Sequence, residues 1–183
     1  GNDGAFSALR SDGTIASWGN TNNGSTGTPT ATGFTQVFAT RTAFAATSVS
    51  GLITSWGNTL EGGSYGPTKT GYTEIAATNT AFAALKADGS IAAWGDGLSG
   101  GTGAPTVTGF TRVFSTGSAF AALKTDGSII AWGDTDNGGT APQGSGFTQV
   151  FANSGAFVAM KADGSLTSWG SLAGTSHGTQ NWP

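Results

Sequence analysis

The sequence predicts an all-β fold, a β-propeller of five compact three-stranded blades, from three observations. A block reading AFAALKADGSIAAWGD at residues 81–96 occurs five times, opening at Ala5, Ala43, Ala81, Ala119 and Ala156. Each copy places a glycine turn between two short apolar runs. Each run is apolar or small on both of its faces. The tryptophans near the ends of the copies, Trp18, Trp56, Trp94, Trp132 and Trp169, are spaced 38, 38, 38 and 37 residues apart. A period of this size marks stacked supersecondary units that bury a shared core.

The third unit shows each element in order. Residues 72–78 (YTEIAAT) alternate bulky and polar side chains, as a strand does, and form strand A. Equivalent stretches lie at 34–40, 110–116 and 147–153. Residues 81–86 form strand B and residues 90–94 strand C, separated by Asp88-Gly89. Asp-Gly between apolar runs signals a hairpin, because glycine supplies a positive φ at low cost. Asp12-Gly13, Asp126-Gly127 and Asp163-Gly164 repeat this signal, and the second unit uses Ser50-Gly51. A polar, glycine-rich loop then leads to Pro29, Pro67, Pro105 or Pro142 and into the next strand A. No helical period is present.

Side-chain alternation decides how the units stack. Phe82 and Ala84 share one face of strand B, while Ala83 and Leu85 share the other; Ile91 and Ala93 oppose Ala92 and Trp94 on strand C. A sheet apolar on both sides must be covered on both sides, which radial stacking of blades achieves. A β-solenoid is the alternative, but its coils of roughly 20–30 residues lack internal hairpins. The chain therefore reads as one repeat domain, 1–183, with repeats at about 1–33, 34–71, 72–109, 110–146 and 147–183.

The ends leave two readings open. Unit 1 has no strand A ahead of it, and Thr179-Gln180-Asn181-Trp182 imitates Thr148-Gln149-Val150-Phe151. On the favoured reading the tail completes blade 1 and closes a five-bladed monomer. On the other, Pro183 is a linker proline, and the chain is an open arc that assembles between chains as a strand-exchanged homo-oligomer.

Composition narrows function. Of 183 residues only 9% are charged and 32 are glycine, yet 11 Phe and 6 Trp argue for a packed core. A net charge of -3 provides no basic patch for a phosphate backbone, which argues against nucleic acid. The chain has no cysteine for disulfides or thiolate metal sites and no apolar run long enough to enter a membrane. A composition rich in Gly, Thr, Ser and Ala with few charges points to a secreted or surface bacterial protein.

Ala122-Leu123-Lys124, Asp126-Gly127 and Ile130-Ala131-Trp132-Gly133-Asp134, followed by a glycine-rich loop and Pro142, carry a resemblance. This pattern resembles the repeat of the regulator of chromosome condensation family, and within it the compact version of β-lactamase inhibitor protein II. The resemblance spans the whole chain and implies a propeller of short blades. It also implies a protein-binding role, which in that inhibitor relies on aromatic anchors on blade-face loops. Here the turns between strands A and B are Arg41-Thr42, Asn79-Thr80, Gly117-Ser118 and Ser154-Gly155, all without an aromatic residue.

Candidate sites follow from departures from the repeat. The recurring pairs Phe6 and Trp18, Phe44 and Trp56, Phe82 and Trp94, Phe120 and Trp132, and Phe157 and Trp169 read as core. Tyr65 and Trp182 break the pattern and are candidates for exposed contact, as is the lone histidine, His177. Asp134, Asp136 and Asn137 are similar to the start of a calcium loop. No closing acid follows at the required distance, so a turn is the better reading. Arg10, Lys86, Lys124 and Lys161 are expected at the blade rim beside Asp12, Asp88, Asp126 and Asp163. No nucleophile–base pair, acid pair or metal cluster stands out, so no enzyme activity and no cofactor are predicted. The expected function is a non-enzymatic interaction or scaffold module of an extracellular bacterial repeat protein, with a protein or glycan partner. Alternatives are a carbohydrate-binding propeller, a protein inhibitor resembling β-lactamase inhibitor protein II, and a designed or reconstructed repeat protein without a natural ligand.

Overall fold

A computed structural model describes residues 1–171. Its fourteen strands form five antiparallel sheets. Blade 1 is β1 (Ala5–Leu9) and β2 (Ile15–Gly19); blade 2 is β3 (Phe34–Ala39), β4 (Ala43–Ser48) and β5 (Ile53–Gly57). Blade 3 is β6 (Tyr72–Ala77), β7 (Ala81–Lys86) and β8 (Ile91–Gly95). Blade 4 is β9 (Phe110–Ser115), β10 (Ala119–Lys124) and β11 (Ile129–Gly133); blade 5 is β12 (Phe147–Ala152), β13 (Ala156–Lys161) and β14 (Leu166–Gly170). Blades 2 to 5 have the predicted A, B, C order, and blade 1 pairs only B with C among the described residues. The tail proposed to supply its third strand lies outside the described residues.

Sequential blades are joined by one recurring core. Ala43, Ala45 and Ile53 of blade 2 receive Tyr72, Ile75, Phe82, Ala84 and Trp94 of blade 3. Ala81, Ala83 and Leu85, from the opposite face of blade 3, receive Phe110, Val113, Phe120, Ala122 and Trp132 of blade 4. The same joint forms between blades 1 and 2 and between blades 4 and 5. Small alanines on one side make room for stacked aromatics on the other. Phe82 and Trp94, a cross-strand pair, lie with ring centroids 5.2 Å apart.

Three hydrogen bonds fasten each joint. The indole Nε1–H of Trp56, Trp94, Trp132 and Trp169 donates to the carbonyl of Gly24, Gly62, Gly100 or Gly138 in the preceding blade's loop, at 3.0–3.1 Å. The first amide of each strand A, as in Phe110, donates to the hairpin glycine of the preceding blade, here Gly89, at 3.2 Å. Near the axis, amides of Asp3, Arg41, Asn79 and Gly117 donate to carbonyls of Arg41, Asn79, Gly117 and Ser154, a stair of bonds across all five blades. The A strands of successive blades also touch (β3 with β6, β6 with β9, β9 with β12), so strand A is innermost.

Local details differ from expectation in four places. Tyr72 and Ile75 share a face despite odd spacing, because a β-bulge between Tyr72 and Glu74 inserts an extra residue. The hairpin is longer than Asp-Gly alone: Lys86 accepts from the Gly89 amide and its own amide donates to Ser90, with only Gly89 at positive φ (76°). That is a type I turn closed by a glycine bulge. The lysines lie over rings rather than pairing with the hairpin aspartates, with Lys86, Lys124 and Lys161 Nζ 5.4, 5.9 and 5.2 Å from the Tyr72, Phe110 and Phe147 centroids. Finally, Phe6 and Trp18 are not core. They stack on each other but remain 58% and 53% exposed, because no blade precedes them among the described residues.

The hairpin carboxylates are turn acceptors. Asp88 Oδ1 accepts from the Ser90 hydroxyl (2.6 Å) and amide (2.9 Å), Asp12 and Asp126 do the equivalent, and Asp163 accepts from the Ser165 amide (2.9 Å). The side-chain and backbone hydrogen bonds hold all four below the ordinary aspartate value of 3.8. A depressed folded-state pKa stabilises the fold above the unfolded value and loses that contribution as pH falls through the folded one. Urea midpoints are therefore expected to be flat from neutral pH to about pH 4 and to fall below it. Asp88→Ala combined with Asp126→Ala should flatten that fall.

The joint gives a second expectation. Trp94→Phe strips the Gly62 carbonyl of its buried donor and should cost about 1–3 kcal/mol, and Trp94→Ala about 3–5 kcal/mol. Trp18→Ala, on the open face, should change the stability of dilute protein by about 0.5 kcal/mol or less. Equal losses at the two positions in urea unfolding would refute the joint as described.

Candidate functional site

Strand direction brings two kinds of loop to the same end of the blades: the A–B turns near the axis and the loops that follow strand C. Their contact is specific. Thr40, Thr78 and Thr116, buried in the A–B turns, donate to the carbonyls of Glu61, Ser99 and Asn137 at 3.0–3.3 Å. Asn2 takes the same role in blade 1, donating from Nδ2 to the Asn23 carbonyl at 2.8 Å. The loops themselves begin with capped single turns. Asn20, Asn58, Asp96 and Asp134 each accept, through the side chain, from the amide two residues on.

This capping accounts for the calcium-like residues. Asp134 accepts from the Asp136 amide through Oδ1 and from Asn137 Nδ2 through Oδ2, both at 2.9 Å. These bonds hold its carboxyl below the ordinary aspartate value. Among the described residues, no group of three or more His, Cys, Asp or Glu is placed to hold a metal.

Within this scaffold the loop after blade 2 stands apart. Tyr65 has φ 61° and is the one non-glycine at positive φ among the described residues. Nine residues after their own tryptophans, blades 1 and 3 have Gly27 (φ 76°) and Gly103 (φ 81°) at the same place. Tyrosine is held in a backbone shape that its neighbours meet with glycine, while its ring is 90% exposed. Beside it, Ser64 Oγ is buried with no hydrogen-bond partner among the described residues. Strain and an orphaned polar atom at an exposed aromatic residue are features that cluster at functional sites.

Tyr65 lines a groove of about 700 Å³ with Leu60 and Glu61. Trp94, Asp96 and Thr102, from blade 3 and its loop, line the same groove. Both carboxylates are committed to the scaffold. Glu61 Oε2 accepts from Thr42 Oγ1 at 2.6 Å, and Asp96 Oδ2 accepts from Ser99 Oγ and Thr80 Oγ1 at 2.9 and 3.2 Å. Leu60 and Leu98, at one repeat position in adjacent blades, project at 77% and 83% exposure. Blades 1 and 4 carry Asn22 and Asp136 there. Sequence reasoning singled out Tyr65 and missed the two leucines. Their signal was the aliphatic residue in a loop position that is otherwise polar. The other two candidates, His177 and Trp182, lie outside the described residues.

A second, more polar cavity of about 450 Å³ opens at the axis, ringed by the A–B turns from Asp3 and Arg41 to Asn79, Gly117 and Ser154. Arg41 Nε and Asp3 Oδ2 pair across its rim at 3.0 Å, both exposed. No aromatic side chain lines it.

No family model matches the chain, and no curated protein does. Solved structures do. The ectodomain of the receptor kinase CR4 from Physcomitrella patens superposes with a TM-score of 0.65 and 19% identity, covering 93% of this chain and 51% of that one. The fold is that of the RCC1-like propellers. Prp20p from Saccharomyces cerevisiae, the yeast RCC1, matches with a TM-score of 0.64 and 19% identity over 93% of this chain and 56% of its own. The CRINKLY WD40 ectodomain of the Arabidopsis thaliana receptor kinase ACR4 gives 0.65 and 19% over 92% and 66%. The chain thus spans between half and two thirds of the length of these proteins.

Relief of the Tyr65 strain is measurable. Tyr65→Gly, matching Gly27 and Gly103, should raise stability by about 1 kcal/mol. A fall in the urea midpoint would show that the tyrosine is a packing residue instead.

Proposed function

We propose that this protein is a non-enzymatic interaction module that captures a partner protein at the groove beside Tyr65, with Leu60 and Leu98 as flanking anchors. The observation that carries this reading is the strained, exposed Tyr65. A rigid scaffold holds a large amphipathic side chain out in solvent at a local cost in stability. Aromatic anchors flanked by aliphatic ones are what protein interfaces use at their energetic centres. The rest of the loop face is small and polar, which suits a rim.

The fold is compatible with such a role; Prp20p, for instance, has been studied for its binding to Gsp1p and histones. An extracellular setting is supported by the low charge of the chain and by two ectodomains among the similar structures. Inhibition of a β-lactamase through the A–B turns is disfavoured, since Arg41, Asn79, Gly117 and Ser154 offer no ring to dock. A sugar stacked on the exposed Tyr65 ring is the second reading, favoured by the groove that the ring lines.

One comparison tests both. Wild-type protein and a Leu60→Ser, Tyr65→Ser, Leu98→Ser variant are screened against a displayed random-peptide library and a glycan array. Peptides selected on the wild type should bind the variant at least about tenfold more weakly, a loss of about 1.4 kcal/mol. Glycan binding lost in the variant would move the site to the sugar reading. Binding that ignores all three substitutions, or no binding in either format, would overturn the groove as the site.

A further inference from the structure

Side-chain charge is divided unevenly between the two ends of the blades. The end formed by the A–B turns and the loops after strand C holds Asp3, Glu61, Asp96, Asp134 and Asp136 against one cation, Arg41, so five carboxylates and one arginine give a net -4. The rest of the molecule holds six cations and five carboxylates, a net +1, and the two together make the -3 of the chain. Arg41 is already paired with Asp3. The ion pairs among the described residues are Arg41 with Asp3 and Arg112 with Glu74, and neither takes up Glu61, Asp96, Asp134 or Asp136. The side-chain donors to Glu61, Asp96 and Asp134 are neutral hydroxyls and an amide, so those hydrogen bonds leave the charge in place.

The groove beside Tyr65 recurs one blade on. Leu60 lines the first together with Asp96 of the next blade. Leu98 and Asp134, each 38 residues further along, line a second groove of about 390 Å³. Each groove thus combines an exposed leucine with a carboxylate that has no ion-pair partner among the described residues, and Tyr65 adds a ring to the first. The chain shows on itself what such a setting accepts. Arg112 of blade 4 reaches Glu74 of blade 3 at 3.3 Å while its guanidinium lies 5.4 Å from the Phe114 ring centroid. One cation there engages a carboxylate of the neighbouring blade and an aromatic face together.

We infer that the partner segment captured at the Tyr65 groove is cationic, an arginine- or lysine-bearing peptide stretch with large apolar side chains interspersed, lying across the two successive grooves. This rests on the groove being a protein-docking site and names the chemistry of what docks there. The apolar side chains cover Leu60, Tyr65 and Leu98, and the cations answer Glu61, Asp96 and Asp134. A purely apolar or acidic segment would leave these carboxylates desolvated without a counter-charge, which costs affinity. The net charge of the loop end also steers a cationic segment there rather than to the hairpin end.

Peptides selected on the wild type from a displayed random library test this against two variants. The apolar variant is Leu60→Ser, Tyr65→Ser, Leu98→Ser. The charge variant is Glu61→Gln, Asp96→Asn, Asp134→Asn, which keeps the capping oxygens, since Asn20 and Asn58 cap the equivalent loops. Thermal midpoints close to that of the wild type show that both fold. The selected peptides should carry an excess of Lys and Arg and should bind each variant at least about tenfold more weakly. Raising salt from about 50 to about 500 mM should weaken binding to the wild type several-fold and to the charge variant little. Peptides that lose binding on the apolar variant, carry no excess of Lys and Arg and bind the charge variant unchanged would overturn the inference while leaving the groove as a docking site. Peptides that lose binding only on the charge variant would mark a diffuse counterion surface and overturn it as well. Binding that ignores both variants removes the groove reading and this inference together.

Discussion

The structure depends on one contact, the tryptophan of each of blades 2 to 5 reaching back to the glycine loop of the blade before it. The indole N–H finds the carbonyl of Gly24, Gly62, Gly100 or Gly138. The same glycines lie against the phenylalanine that stacks on that tryptophan, and a Cβ on Gly100 would stand 2.6 Å from the Phe120 ring. Their φ values, from 89° to 102°, exclude other residues for a second reason. Position, backbone shape and hydrogen bond are thus set by one residue. The single shortened spacing confirms how tightly this is held. Gly138 still lies six residues after Trp132, and the missing residue falls between Gly138 and Pro142, in the connecting loop.

Because the contact always runs from one blade to its predecessor, stability is carried between units more than within them. A three-stranded sheet of five- and six-residue strands has little core of its own. Its alanines are buried to zero exposure where a neighbouring blade lies on them. This is the energetic pattern of a one-dimensional array, in which the terminal units lack half of their contacts. Phe6 and Trp18 show it directly: the residue types and cross-strand stacking are those of the core, and the burial is not. What makes a residue core here is the presence of the next unit, a property that no single repeat contains.

That distinction explains what could be read from the sequence. The period, the hairpins and the two-faced strands each follow from residue type and spacing inside one repeat, so strand order and blade stacking were legible. The bulge at Tyr72 was not, because its trace is a one-residue shift in parity that looks like ordinary alternation over so short a strand. The ring contacts of the lysines were not legible because sequence neighbours are not strand neighbours: Lys86 is two residues from Asp88 in the chain and across from Tyr72 in the sheet. Trp18 was misread because repetition was taken for burial. Tyr65 was visible as a departure from the pattern, but its meaning came from φ, since a tyrosine where the repeat has glycine is informative only once glycine is known to be required there.

The division of labour between strands and loops is what leaves room for function. Substitutions at the alanines, the tryptophan or its glycine acceptor are coupled across a joint and are therefore restricted. The loops after strand C need only the capping residue and that glycine; the positions between and beyond them are free to vary. Asn22, Leu60, Leu98 and Asp136 occupy one such position, and two of the four are leucines exposed on adjacent blades. Tyr65 is different in kind. It does not sit at a free position but at one where a positive φ is built into the loop, and it holds that shape against its own preference. A packing role would require burial, and the ring has none. The strain is retained beside a groove of about 700 Å³ on the loop face, which Leu60 also lines, and that coincidence sets this loop apart from its three counterparts.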